Sequence, residues 1–153
     1  MSRDFSFVTS TASIAIFDPL VLKHRKGHQA DWWTDWTQEL DELNAGNLIV
    51  VGLGGDGKYE VVFDEATRGN MHQVSALIAC RSGNVFIGPG EDITGGGLEP
   101  VSRRTSGQMV AANCGTLRVT LAKAGNRLSL SLLRVESEAM NSFDGQLLLE
   151  NAH

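Results

Sequence analysis

Two runs near the C-terminal end constrain the fold more than any other feature of the chain. In "TLRVTLAK", Leu117, Val119 and Leu121 alternate with Arg118 and Thr120. In "RLSLSLLRVE", Leu128, Leu130 and Leu132 alternate with Ser129 and Ser131. Such period-two alternation puts one set of side chains on one face of a strand and the other set on the opposite face. The "AGN" between the runs suits a tight turn, so the pair reads as an antiparallel hairpin with one buried face. That buried face needs a second apolar layer to cover it.

Further short strands are expected from "FSFVT", "SIAIF", "QVSALIAC", "NVFIG", "QMVAANC" and "QLLLE". Glycine makes up 17 of the 153 residues, above the roughly 7% norm, and most of it falls between these runs, as a turn-rich β fold requires. The length suits one globular domain spanning residues 1–153. The expected architecture is mainly β: a β-rich α+β domain, built as an antiparallel β-sandwich or rolled sheet with one amphipathic helix over about 31–45. A short helix over about 19–26 is expected as well, with Asp18 as its N-cap and Pro19 at its first position.

The stretch "NLIVVGLGGDGKYEVVFDE" contains Gly52-x-Gly54-x-x-Gly57, the spacing of the dinucleotide-binding fingerprint. That fingerprint works only where the glycines open a helix whose N-terminal amides face a pyrophosphate. Here Tyr59, Val61 and Phe63 alternate with Lys58 and Glu60, which is a strand pattern, and no acidic residue follows Glu65 until Glu91. The glycines therefore read as a turn, with 48–53 and 58–63 expected to pair as a hairpin. No cofactor is expected.

Chemistry-bearing constellations are few. His24 and His28 have a helical metal spacing, but Gly27 interrupts that helix and no third ligand stands nearby, so no metal site is expected. Cys80 and Cys114 lie in apolar segments and read as small buried hydrophobes. No nucleophile elbow or calcium loop is present, and no catalytic residue is assigned. The net charge of −5 argues against a nucleic-acid binder. Residues 1–76 hold 6 Lys/Arg against 11 Asp/Glu, whereas residues 77–153 hold 7 of each, so the excess acid is all in the first half. No signal peptide or membrane-length apolar run is read, which places the chain in the cytoplasm.

The feature that stands out is "DWWTDWTQELDE". All three tryptophans, Trp32, Trp33 and Trp36, lie within it. With Leu40 and Leu43 they occupy an arc of about 100° on a helical wheel. Asp31, Asp35, Glu39 and Glu42 form an adjoining acidic stripe. One reading is that the tryptophans anchor the helix on the sheet while the acids face water. The other is that Trp32, Trp33, Asp35, Trp36, Glu39 and Glu42 form a surface for a basic protein partner, since Trp is enriched at interface hot spots and clustered acid steers a cation. The long loop 88–107, with Glu91, Asp92 and Glu99 against Arg103 and Arg104, reads either as a solvated loop or as the site of a small β-sandwich enzyme or ligand-binding protein. Edge strands leave room for a homodimer.

In its size, its acidity and the segment "DWWTDW…ELDELNAGNLIVVGLGGDGKYEV", the chain resembles small acidic cytosolic bacterial immunity proteins, the inhibitors of antibacterial toxins. The resemblance implies a non-catalytic module that neutralises a cognate toxin by direct binding. The implied partner is a cytosol-acting toxin with a basic surface, such as a nuclease, and the chain itself binds neither nucleic acid nor membrane.

Overall fold

The computed structural model describes residues 4–9, 11–21, 36–63, 73–90, 107–144 and 147–149. Among these residues ten strands and one helix follow in the order β1 (Phe5–Thr9), β2 (Ser13–Phe17), α1 (Trp36–Asn44), β3 (Ile49–Gly52), β4 (Gly57–Phe63), β5 (Gln73–Cys80), β6 (Asn84–Pro89), β7 (Gln108–Ala111), β8 (Gly115–Ala124), β9 (Arg127–Val135) and β10 (Leu147–Leu148). They form two five-stranded sheets, ordered β1-β4-β9-β8-β5 and β10-β3-β2-β6-β7. The β-rich α+β class expected from the sequence is the one observed. Both sheets are mixed rather than purely antiparallel, because β4 runs parallel to β9 and β10 parallel to β3.

The alternating runs behave as their pattern dictates. β8 and β9 pair antiparallel, with Val119 opposite Leu132 and Leu121 opposite Leu130. Leu117, Val119, Leu121, Leu128 and Leu130 are buried, and Leu132 is half-buried at the edge of the same cluster. Facing them across the core are Ile14, Ile16, Ile49, Val51, Val85 and Ile87 from the other sheet.

The glycine-rich stretch departs from expectation. No helix follows the glycines; β4 begins at Gly57. The flanking strands, however, do not pair with each other. β3 lies between β2 and β10 in one sheet, while β4 lies between β1 and β9 in the other. Burial differs between them: Ile49, Val50 and Val51 are all buried, so β3 is covered on both faces, whereas β4 alternates and buries one face. The turn therefore crosses between layers. Gly54 and Gly57 take positive φ of 84° and 131° there, and the Tyr59 hydroxyl donates to the Gly55 carbonyl at 2.6 Å.

Asp18 caps a turn as its position suggested. Its Oδ1 accepts from Leu20 N at 2.9 Å, and its carbonyl accepts from Val21 N at 2.9 Å. Residues 19–21 form a turn, and the rest of the expected 19–26 helix lies outside the described residues. The same carboxylate, fully buried, also accepts from Arg81 N at 2.6 Å, Ser82 N at 2.8 Å and the Ser82 hydroxyl at 2.9 Å. One side chain thus ties the end of β2 to the β5–β6 connection.

Candidate functional site

The orientation of α1 determines the site. The helix ends in a Schellman arrangement: Asn47 N donates to Glu42 O at 2.9 Å, Gly46 N donates to Leu43 O at 3.0 Å, and Gly46 has φ of 74°. Two asparagines then pin this end. Asn141 Nδ2 donates to Leu43 O at 2.7 Å and Leu77 O at 2.8 Å, while its Oδ1 accepts from Leu77 N at 2.9 Å. Asn44 Oδ1 accepts from Phe143 N at 2.8 Å, and Asn44 Nδ2 donates to Phe143 O at 3.0 Å. Neither asparagine stands out in the sequence, because their partners are backbone groups tens of residues away.

So held, α1 points Glu39 and Glu42 inward. Thr37 and Asp41 are exposed, whereas Glu39, Glu42 and Leu43 are buried and Leu40 is half-buried. The expectation of a solvent-facing stripe therefore fails for Glu39 and Glu42. The reason is visible on the wheel: at 100° per residue Glu39 falls between Glu42 and Leu43, so a helix that buries Leu43 between two bound flanks takes both carboxylates with it. Glu42 is satisfied there, its Oε1 accepting from Asn47 Nδ2 at 2.8 Å. Trp32, Trp33 and Asp35 lie outside the described residues, as does the Trp36 side chain and most of the 88–107 loop, residues 91–106.

Glu39 instead lines a cavity of about 140 Å³. The β1–β2 turn contributes Thr11, Ala12 and Ser13, β3 contributes Val50 and Gly52, and β10 contributes Leu147 and Leu148. The cavity sits where it does for local reasons. Gly52 has no side chain, and a Cβ there would come within 2.7 Å of Leu148 Cδ2, the end of an exposed side chain, so the glycine leaves room for Leu148 as it is placed over β3. Ala12 takes a positive φ of 53°, a strained value for a residue with a side chain, and its carbonyl accepts from Leu53 N at 2.7 Å. The Thr11 and Ser13 hydroxyls are 2.9 Å apart, and Thr9 Oγ1 accepts from Thr11 N at 3.1 Å and Ser13 N at 3.3 Å.

Within this cavity Glu39 is 7% exposed, and its carboxylate has no hydrogen-bond or ion-pair partner among the described residues. Burial pushes its pKa up to about 7. Near neutral pH the cavity therefore holds a carboxyl poised between its neutral and charged forms. The space is well below the roughly 300–1,000 Å³ of pockets for drug-sized ligands. It accommodates one side chain.

The remaining chemistry is sparse. Cys80 is buried, and desolvation raises its pKa first of several causes. Cys114 is exposed, contrary to expectation, because it lies just before β8 begins. Among the described residues no group of three His, Cys, Asp or Glu could hold a metal, and no helix is long and apolar enough to cross a membrane. His24, His28 and His72 lie outside the described residues.

The family model that matches the chain, over residues 1–149, is that of a family of unknown function. No curated protein matches the sequence. Two solved structures share the fold. ComJ from Bacillus subtilis, the inhibitor of the DNA-degrading activity of NucA, is 12% identical with a TM-score of 0.56, over 88% of this chain and 98% of its own. The protein described as crocagin biosynthetic gene J is also 12% identical with a TM-score of 0.56, over 89% of this chain and 99% of its own.

Proposed function

This chain belongs to DUF6386, and we propose that it is a non-catalytic protein-binding inhibitor, an immunity-type protein that neutralises a toxin by direct contact. The observation that carries the reading is the near end-to-end likeness of its fold to ComJ, an inhibitor of a nuclease's activity. At 12% identity this is an analogy of fold, which raises the expectation of function without assigning residues. The net charge of −5 supports it, because a nuclease presents a basic groove to its substrate and an acidic inhibitor is steered towards that groove. The partner is thus a basic, DNA-degrading toxin acting in the cytoplasm. Trp32, Trp33, Asp35 and Trp36 are proposed as its contacts, together with the Glu39 cavity that adjoins them in sequence.

The test pairs the purified chain with the product of the neighbouring gene. DNA degradation by that product is expected to stop at stoichiometric amounts of the chain. Asp35→Lys is expected to slow association and flatten its salt dependence, because peripheral charges act mainly on the on-rate. Undiminished DNA degradation, or the absence of a complex, refutes the reading.

A further inference from the structure

We propose that the Glu39 cavity is a socket for one basic side chain, a lysine or arginine projecting from the protein partner. The identity of the partner as a protein rests on the inhibitor reading above; the chemistry of the occupant rests on the cavity. Among the described residues that line it, the one charged group is the Glu39 carboxylate, which is more than nine-tenths buried and has no partner among those residues. Leaving such a group desolvated is costly, and an approaching cation with N–H donors offsets that cost. The Thr11 and Ser13 hydroxyls supply further acceptor oxygens beside it.

The walls fit the rest of such a side chain. Val50, Leu147 and Leu148 are among the lining residues, and lysine and arginine carry apolar stems that pack along such surfaces while the charged head continues to its partner. Leu148 is 54% exposed on the edge strand β10, so the cavity opens beside an apolar residue that a partner surface can cover. Other occupants fit less well. An anion is repelled by Glu39, and a neutral apolar group leaves the carboxyl without a donor. A calcium ion takes six to eight oxygen ligands, more than one carboxylate and two hydroxyls provide.

Binding is therefore linked to pH. Glu39 titrates near 7 in the free chain, and the cation selects its charged form. Affinity then falls about tenfold per pH unit below that point and levels off above it. Among the described residues, no other titratable side chain lines the cavity, Asp41 on the same helix is exposed, and Glu42 accepts from Asn47.

The probes are n-butylguanidinium and n-butylammonium, with n-butylurea as the neutral control. Each is titrated into the full chain while NMR follows the Glu39 carboxyl carbon and the Ser13 and Gly52 amides. Either cation is expected to lower the pH at which Glu39 titrates and to shift both amides saturably. The stronger of the two identifies arginine or lysine as the natural occupant. Glu39→Gln is expected to weaken cation binding by at least about tenfold and to abolish its pH dependence. A Glu39 titration unmoved by both cations, or moved equally by n-butylurea, overturns the proposal. These probes need no toxin, so the two readings fail separately. Cation binding without toxin inhibition leaves the socket and removes the inhibitor. Toxin inhibition that Glu39→Gln leaves intact, without cation binding, does the reverse.

Discussion

If Glu39 is kept desolvated for a partner, it is a burden on the free chain, and replacing it by glutamine removes that burden. Burial moves the carboxyl from about 4.5 to about 7. The sign follows from linkage. As pH rises past about 4.5 the unfolded chain releases this proton while the folded chain retains it, so folding stability falls. The fall ends near pH 7, where the folded chain releases the proton too. At about 1.36 kcal/mol per pH unit the full interval amounts to about 3.4 kcal/mol. Water at the cavity mouth screens part of it, so about 2 kcal/mol is the working expectation. Glu39→Gln should thus stabilise the free chain by about 2 kcal/mol near pH 8 and by almost nothing near pH 4. Urea denaturation of both proteins at the two pH values, read as the difference between them, cancels the titration of every other group. Equal stability at both pH values would refute the desolvation argument, because it would mean that the carboxylate is solvated or already paired. A loss of stability in the variant at both would mean that the carboxyl makes a structural hydrogen bond.

Two other substitutions test the frame that holds the site. Leu130→Ala removes a fully buried side chain from the centre of the hairpin and should cost roughly 2–5 kcal/mol in denaturant titration; a loss well under ~1 kcal/mol would contradict its burial. Asp18→Asn sets an amide N–H₂ against at least one of the donors that the carboxylate now satisfies. It should cost about 1–3 kcal/mol and raise hydrogen exchange at Arg81 and Ser82; unchanged exchange there would mean that Asp18 does not hold the β5–β6 connection.

The sequence alone determined the local character of the chain. Alternation at 117–121 and 128–132 specified a hairpin and its inward face, because side chains on a strand have no choice but to alternate. The rejection of the nucleotide fingerprint was equally local: the residues after Gly57 prefer a strand, and a phosphate cradle needs a helix. Gly46 ended its helix for the same kind of reason, a backbone angle that glycine adopts at least cost.

Partnership was decided only by the tertiary structure. Asp56-Gly57 announces a turn, but nothing in a turn says whether the next strand returns beside the last or crosses to the other sheet. Here β3 and β4 lie in different sheets, β3 covered on both faces and β4 on one. The helix acids are the sharper case. Glu39 and Glu42 border the apolar arc, and from the sequence either the solvent or the core could have claimed them. Asn141 and Phe143, far along the chain, bind Leu43 and Asn44 and, with the Gly46 turn, fix the rotation of the helix. That rotation places a carboxylate at the meeting point of the β1–β2 turn, β3 and β10, which no local pattern encodes. Side-chain periodicity is a property of each segment, whereas desolvation is a property of everything packed around it.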